Sequence, residues 1–171
     1  MMSTPASRAS LEGRVDPDRG FLPSPDPLTR LPAAPQAGEV AIAVVGAHMS
    51  EMALNGELKS FGARFLEAAS TAPDYRLFAL NGKPPARPGL LRVAQGGTSI
   101  ALEIWALPAD GFGCFAAAIP PPLSIGTLKL ADGSAVKGFL AEAEAIVGAQ
   151  DISSFGGWRA YLAQTAAKAE A

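Results

Sequence analysis

The sequence predicts an α+β fold, a small mixed, barrel-like β-sheet with a few short helices. About six or seven short segments carry strand patterning, while only two or three carry helical spacing. The helical segments do not alternate regularly with the strands, so an all-parallel βαβ sheet fits poorly. Between two alternating runs stands Ala131-Asp132-Gly133, whose Asp-Gly pair is the strongest short-range hairpin signal in the chain.

The elements follow in order. Residues 1–37 hold Pro5, Pro17, Pro23, Pro25, Pro27, Pro32 and Pro35 among Ser, Asp and Arg, with no period of 2.0 or 3.6. Such a segment buries too little to offset its ordering entropy, and a flexible arm or linker is expected. The folded domain is expected over 38–171. It opens with "EVAIAVVG", short, continuous and apolar, the pattern of a strand buried on both faces. Leu54, Leu58 and Phe61 fall at helical spacing before Gly62, a glycine stop. "ARFLEAA" and "YRLFAL" read as strands separated by "STAPD", and "NGKPPARPG" as a proline-braced loop.

"GLLRVAQGG" and "TSIALEIWAL" are expected to pair as a hairpin around Gln95-Gly96-Gly97. In the second run Ile100, Leu102, Ile104 and Ala106 share one face, and Ser99, Ala101, Glu103 and Trp105 the other. "ADGFGCFAAAI" is a short helix halted at Pro120-Pro121-Pro122. "SIGTLKL" and "SAVKGFLAE" flank the Asp-Gly turn. The closing segment reads as a helix capped by Ser153 or Ser154, with Phe155, Trp158 and Leu162 on one side.

Composition narrows the function. Of 171 residues 49% are hydrophobic and 18% charged, enough for a sizeable core. A net charge of -2 and a pI near 5.4 give no electrostatic case for nucleic acid or an anionic membrane. A mean hydropathy of +0.20 comes without a run long enough to span a bilayer. Arg8 and Arg14 are not followed by an apolar signal region, so a cytoplasmic location is expected. One cysteine, Cys114, excludes an internal disulfide and is expected to be a small buried hydrophobe. With one histidine and no CxxC pair, no metal site and no cofactor are expected. Neither a phosphate-binding P-loop nor a strand-linked GxGxxG occurs.

His48, the one histidine, stands in "VVGAHMS" where a buried strand gives way to a helix. It is either a turn residue bonded locally or a proton donor at the mouth of the fold. Gly46 permits close backbone approach, and N–H groups from Ala47 to Met49 could face an anion. Asn55 opens the helix beside them. Glu103 is either a solvated strand residue or a carboxylate that orients the histidine. Lys137 is either solvated or an anion binder, and Trp158 reads as a core plug.

Taken jointly, "VAIAVVGAHMSEMALN", "TAPDYRLFAL", "RPGLLRVAQGG", "LEIWALPADGFGCFAAAIPPPLSIGTLKLADGSAVKGFL" and "GAQDISSFGGWRAYL" resemble the C-terminal domain of allophanate hydrolases, over roughly residues 39–162. The resemblance implies a fold of the γ-glutamylcyclotransferase type. It implies a role in decarboxylating N-carboxycarbamate, with the GAH-loop histidine, here His48, as the functional residue. Tyr75 of the TAPDYRLF segment joins the expected substrate-binding set of Gly46, Ala47, Met49, Asn55 and Lys137, with His48 and Glu103 expected to be catalytic.

This chain has a proline-rich segment where those enzymes carry an amidase domain, so hydrolysis of allophanate by this chain alone is not expected. "FGCFAAAIPPPL" lacks the acid of true cyclotransferases, which counts against γ-glutamyl cyclisation. Met49, Glu51 and Met52 depart from the usual loop and bear on substrate choice. The expected partners are a small dianionic substrate, a separately encoded amidase or carboxylase, and a second copy of the chain, with no nucleic acid and no membrane. Two alternatives stand beside decarboxylation: a non-catalytic ligand-binding or scaffold module docked on such an enzyme, and a cyclotransferase-like lyase.

Overall fold

A computed structural model describes residues 34–169. The expected arm, 1–37, therefore lies outside the described residues except for its last four. Eight strands and three α-helices follow. They are β1 (Glu39–Val44), α1 (Asn55–Ser60), β2 (Arg64–Ser70), β3 (Tyr75–Ala79), β4 (Pro88–Arg92), β5 (Ala101–Pro108), α2 (Ala109–Ala118), β6 (Leu123–Lys129), β7 (Ala135–Ala141), β8 (Gln150–Asp151) and α3 (Trp158–Ala169). The α+β class holds.

The strands form a five-stranded sheet in the order β2-β5-β1-β7-β6 and a three-stranded sheet in the order β4-β3-β8. The continuous apolar run of β1 suits its place at the centre of the larger sheet. There it pairs antiparallel with β5 and parallel with β7. Ile42, Ala43 and Val44 are buried within the core.

The barrel-like expectation needs correction, because neither sheet closes. The outer strands β2 and β6 meet through one isolated bridge, Thr71 to Leu130, just past their C-terminal ends. Ala72 N–H donates to Lys129 O at 2.8 Å and Ala131 N–H to Ser70 O at 2.9 Å. No ladder continues from there among the described residues, and a closed barrel requires one.

The expected β4–β5 hairpin is also absent. β4 pairs with β3, in register Tyr75 to Arg92, across the proline-braced loop. β5 belongs to the other sheet. The Gln95-Gly96-Gly97 turn carries the chain from one sheet to the other by passing tightly under the start of β3. A side chain at Gly97 would lie 2.7 Å from Pro73 O and Tyr75 N. The β6–β7 hairpin forms as expected, with Gly133 at φ +86° in the turn.

Helix α1 ends before Gly62 at φ +82° and buries Leu58. Trp158 is buried as a core plug. Two local expectations fail. Ser153 and Ser154 lie in a separate 3-10 turn, ended by Gly156 at φ +71°. The Ser153 hydroxyl instead accepts the Leu77 N–H at 2.8 Å, which ties that turn to β3. Cys114 is exposed, because α2 turns its neighbour Phe115 inward and a residue one step away points elsewhere.

Candidate functional site

The C-terminal end of β1 opens on a cavity of about 220 Å³, with His48 in its wall. Around it stand Glu57 from α1, Phe115 from α2, Phe139 from β7, and Arg87 with Pro88 at the start of β4. The sheet register brings them together. Pairing of Ala43 with Gly138 sets Phe139 beside the segment that leads into the His48 loop. Gly46 lets that loop pass against β4, since any side chain there would run into the Pro88 ring.

The imidazole stacks on Phe139 at 5.2 Å between centroids and meets the edge of Phe115 at 5.2 Å. Nε2 lies 3.2 Å from Glu57 Oε2. A carboxylate oxygen only accepts, so Nε2 carries the hydrogen and Nδ1 is left with its lone pair. Burial lowers the His48 pKa from its ordinary 6.5, the hydrogen bond and charge of Glu57 oppose this, and the Arg87 charge adds to the lowering. The imidazole is therefore neutral at neutral pH before any ligand arrives.

The expected site residues divide. Gly46, Ala47 and His48 line the cavity. The Met49 N–H is committed to Gly46 O at 2.9 Å, and the Met49 side chain is buried in the core. Among the described residues the N–H groups of Ala47 and His48 donate to no protein acceptor. Asn55 does not line the cavity. Its amide donates to His48 O at 2.9 Å and so shapes the loop.

Tyr75 is fully buried, with its hydroxyl accepting the Lys129 N–H at 2.8 Å, and does not reach the cavity. Lys137 is exposed and donates to Thr127 at 3.0 Å across the β6–β7 hairpin. Glu103 does not line the cavity and makes no hydrogen bond to the imidazole. It is buried and accepts from Ser50, Trp105 and Arg159. The carboxylate on the histidine is Glu57, in place of the expected Glu103.

Two cavity residues escaped the sequence reading. Glu57 stands nine positions after His48, in the first turn of α1, where its carboxylate meets the imidazole. Arg87 comes from the proline-braced loop. Its Nε is buried and has no hydrogen-bond partner among the described residues. Arg87 thus brings positive charge to the same cavity wall as Ala47 and His48, whose N–H groups are spare, and such a set suits an anion. No group of three His, Cys, Asp or Glu side chains that could hold a metal ion occurs among the described residues. Nor is any described helix long and apolar enough to cross a membrane.

Residues 40–163 match the family described as the allophanate hydrolase C-terminal domain. The chain belongs to that family. It is 39% identical over 128 residues to urea amidolyase of Saccharomyces cerevisiae, covering 72% of this chain and 7% of that protein. It superposes on the crystallised Kluyveromyces lactis allophanate hydrolase with a TM-score of 0.71 at 39% identity, covering 74% of this chain and 21% of that one. A uropathogenic Escherichia coli-specific protein of known structure matches at 38% identity and a TM-score of 0.68, covering 73% of this chain and 96% of that one. The chain thus spans less than a tenth of the length of the curated relative.

Proposed function

We propose that the His48 cavity promotes decarboxylation of a small carboxylated amide of the N-carboxycarbamate type, within the breakdown of urea-derived nitrogen. One observation carries the reading: His48 and Arg87, whose buried Nε has no hydrogen-bond partner among the described residues, line the same small cavity. Arg87 and the N–H groups of Ala47 and His48 hold carboxylate oxygens. The bound negative charge raises the imidazole's proton affinity, so His48 takes up one proton from the solvent's pool of hydronium and buffer acid. As the nitrogen–carboxylate bond breaks, carbon dioxide departs and the electron pair stays on nitrogen. Nitrogen then receives the proton from His48, leaving carbamate. The balance is one dianion plus one proton giving one carbamate and one carbon dioxide.

The test is carbon dioxide release from substrate generated in situ by an added amidase. His48→Ala is expected to lose the acceleration, and an unchanged rate overturns the role. A second reading is favoured by the Escherichia coli protein, 96% of whose length this chain covers, so that a protein made almost wholly of this domain exists. On that reading the chain is a binding module that docks on a separately encoded amidase or carboxylase. Co-purification that survives His48→Ala but is lost on removing residues 1–36 would select it.

A further inference from the structure

The Glu103 carboxylate lies outside the cavity and yet gathers an unusual set of donors. Its Oε2 accepts the Ser50 N–H at 2.8 Å, the Ser50 hydroxyl at 3.0 Å and the Trp105 indole N–H at 3.0 Å. Its Oε1 accepts Arg159 Nη2 at 2.6 Å. The same Nη2 donates to Ser50 O at 2.7 Å. Ser50 is therefore gripped through both its N–H and its C=O, by one residue of β5 and one in the first turn of α3. Both supports are firm: the flanking Leu102, Ile104 and Trp105 are buried, as is Trp158 next to Arg159.

The next residue shows what the grip holds. Glu51, at φ +63°, is the one non-glycine residue with positive φ among the described residues. That backbone region is disfavoured for a residue with a Cβ and persists where surroundings impose it. On the other side, Asn55 holds His48 O and the Leu54 N–H holds Ala47 O at 2.8 Å. His48 sits between these two sets of restraints.

We infer that Glu103 and Arg159 act as a clamp that positions the His48 loop, fixing Ser50 so that the imidazole two residues earlier stays in the cavity wall. The inference rests on the reading of His48 as the working residue of that cavity, and deepens it. Glu103 and Arg159 are positioning residues: they reach the ligand only through the backbone from Ser50 to His48. The arrangement couples the C-terminal helix to the site. Burial alone would raise the Glu103 carboxyl, but the bonds from Ser50, Trp105 and Arg159 outweigh it and hold the group below its ordinary value, so the clamp stays charged.

The test uses the untagged full chain, whose one histidine gives unique imidazole C–H signals. The rings of Phe139 and Phe115 displace those signals, which makes them a gauge of where the imidazole sits. In Glu103→Gln and Arg159→Met the signals should move toward their unfolded positions while the sheet amide signals stay in place. Affinity for malonate, a stable dianion, should fall about tenfold or more. Arg159→Lys should restore part of both, and Glu51→Gly, which relieves the disfavoured backbone, should lessen the losses. Arg159 is half-exposed, so Arg159→Met decides the matter if Glu103→Gln does not fold. Unchanged imidazole signals and unchanged malonate affinity in a folded Arg159→Met overturn the clamp. Failure of His48→Ala to alter carbon dioxide release would overturn the proposed reaction and leave the imidazole signals to judge the clamp by themselves.

Discussion

The His48 imidazole lies nearly flat on the Phe139 ring, with planes 12° from parallel. This contact joins the loop after β1 to the middle of β7, and the parallel β1–β7 pairing makes it possible. Phe115 closes the remaining apolar side. The histidine is thus held by two aromatic surfaces and one carboxylate.

Phe139→Leu should therefore act on both stability and titration. Loss of the aromatic contact is expected to cost about 1 kcal/mol in urea unfolding. With its burial reduced, the His48 pKa should rise toward 6.5, as read from imidazole signals against pH. A pKa that stays put would mean that Phe139 does not shield the ring.

The lowered His48 pKa also sets an acid limb of stability. Unfolded histidine titrates near 6.5 and the folded group below that. Between the two values the unfolded chain binds a proton that the folded chain does not, so stability rises with pH in that window. The contribution is present above 6.5 and is lost as pH falls toward the folded value. Urea midpoints at pH 7.5 and 5.5 should differ more for the natural chain than for His48→Gln. Equal differences would exclude His48 as the source.

Features encoded within a few residues were readable beforehand. The Asp132-Gly133 hairpin and the glycine stop at Gly62 need only local backbone chemistry. The alternation in β5 put Glu103 and Trp105 on one face, and there the indole does donate to the carboxylate. Features encoded by distant pairing were not readable. The β4 strand chose β3 because the proline loop turns the chain back on itself, while Gly97 sends the chain on to the other sheet. Arg87 lies 39 positions from His48, and only the approach of β4 to Gly46 makes the two neighbours. Tyr75 and Lys137 suited a binding role by residue type, but their hydrogen bonds serve the framework.

Two glycines separate close packing from mere tolerance. Gly46→Ala drives a methyl group into the Pro88 ring at the cavity edge, and overpacking of this kind costs about 1–3 kcal/mol. Gly56 in α1 has no atom within 4 Å of a would-be Cβ, so Gly56→Ala should stabilise by about 0.5–1 kcal/mol. Urea unfolding should show opposite signs for the two. The same sign for both would mean that the loop yields freely at Pro88.

Arg87 offers the sharpest test of the cavity as an anion site. If its guanidinium supplies a charged hydrogen bond to a carboxylate, Arg87→Met removes an interaction worth about 1.5–3 kcal/mol. Malonate binding measured by calorimetry should then weaken roughly 10- to 100-fold. Arg87→Lys should fall between the two, since it keeps the charge without the planar fork. The same variant has a second consequence in the free protein. The Arg87 charge helps to hold the His48 pKa down, so its removal should raise that pKa. Weaker malonate binding together with a raised imidazole pKa places both side chains on one ligand. Unchanged malonate affinity removes Arg87 from the site and with it the charge that the proposed chemistry requires.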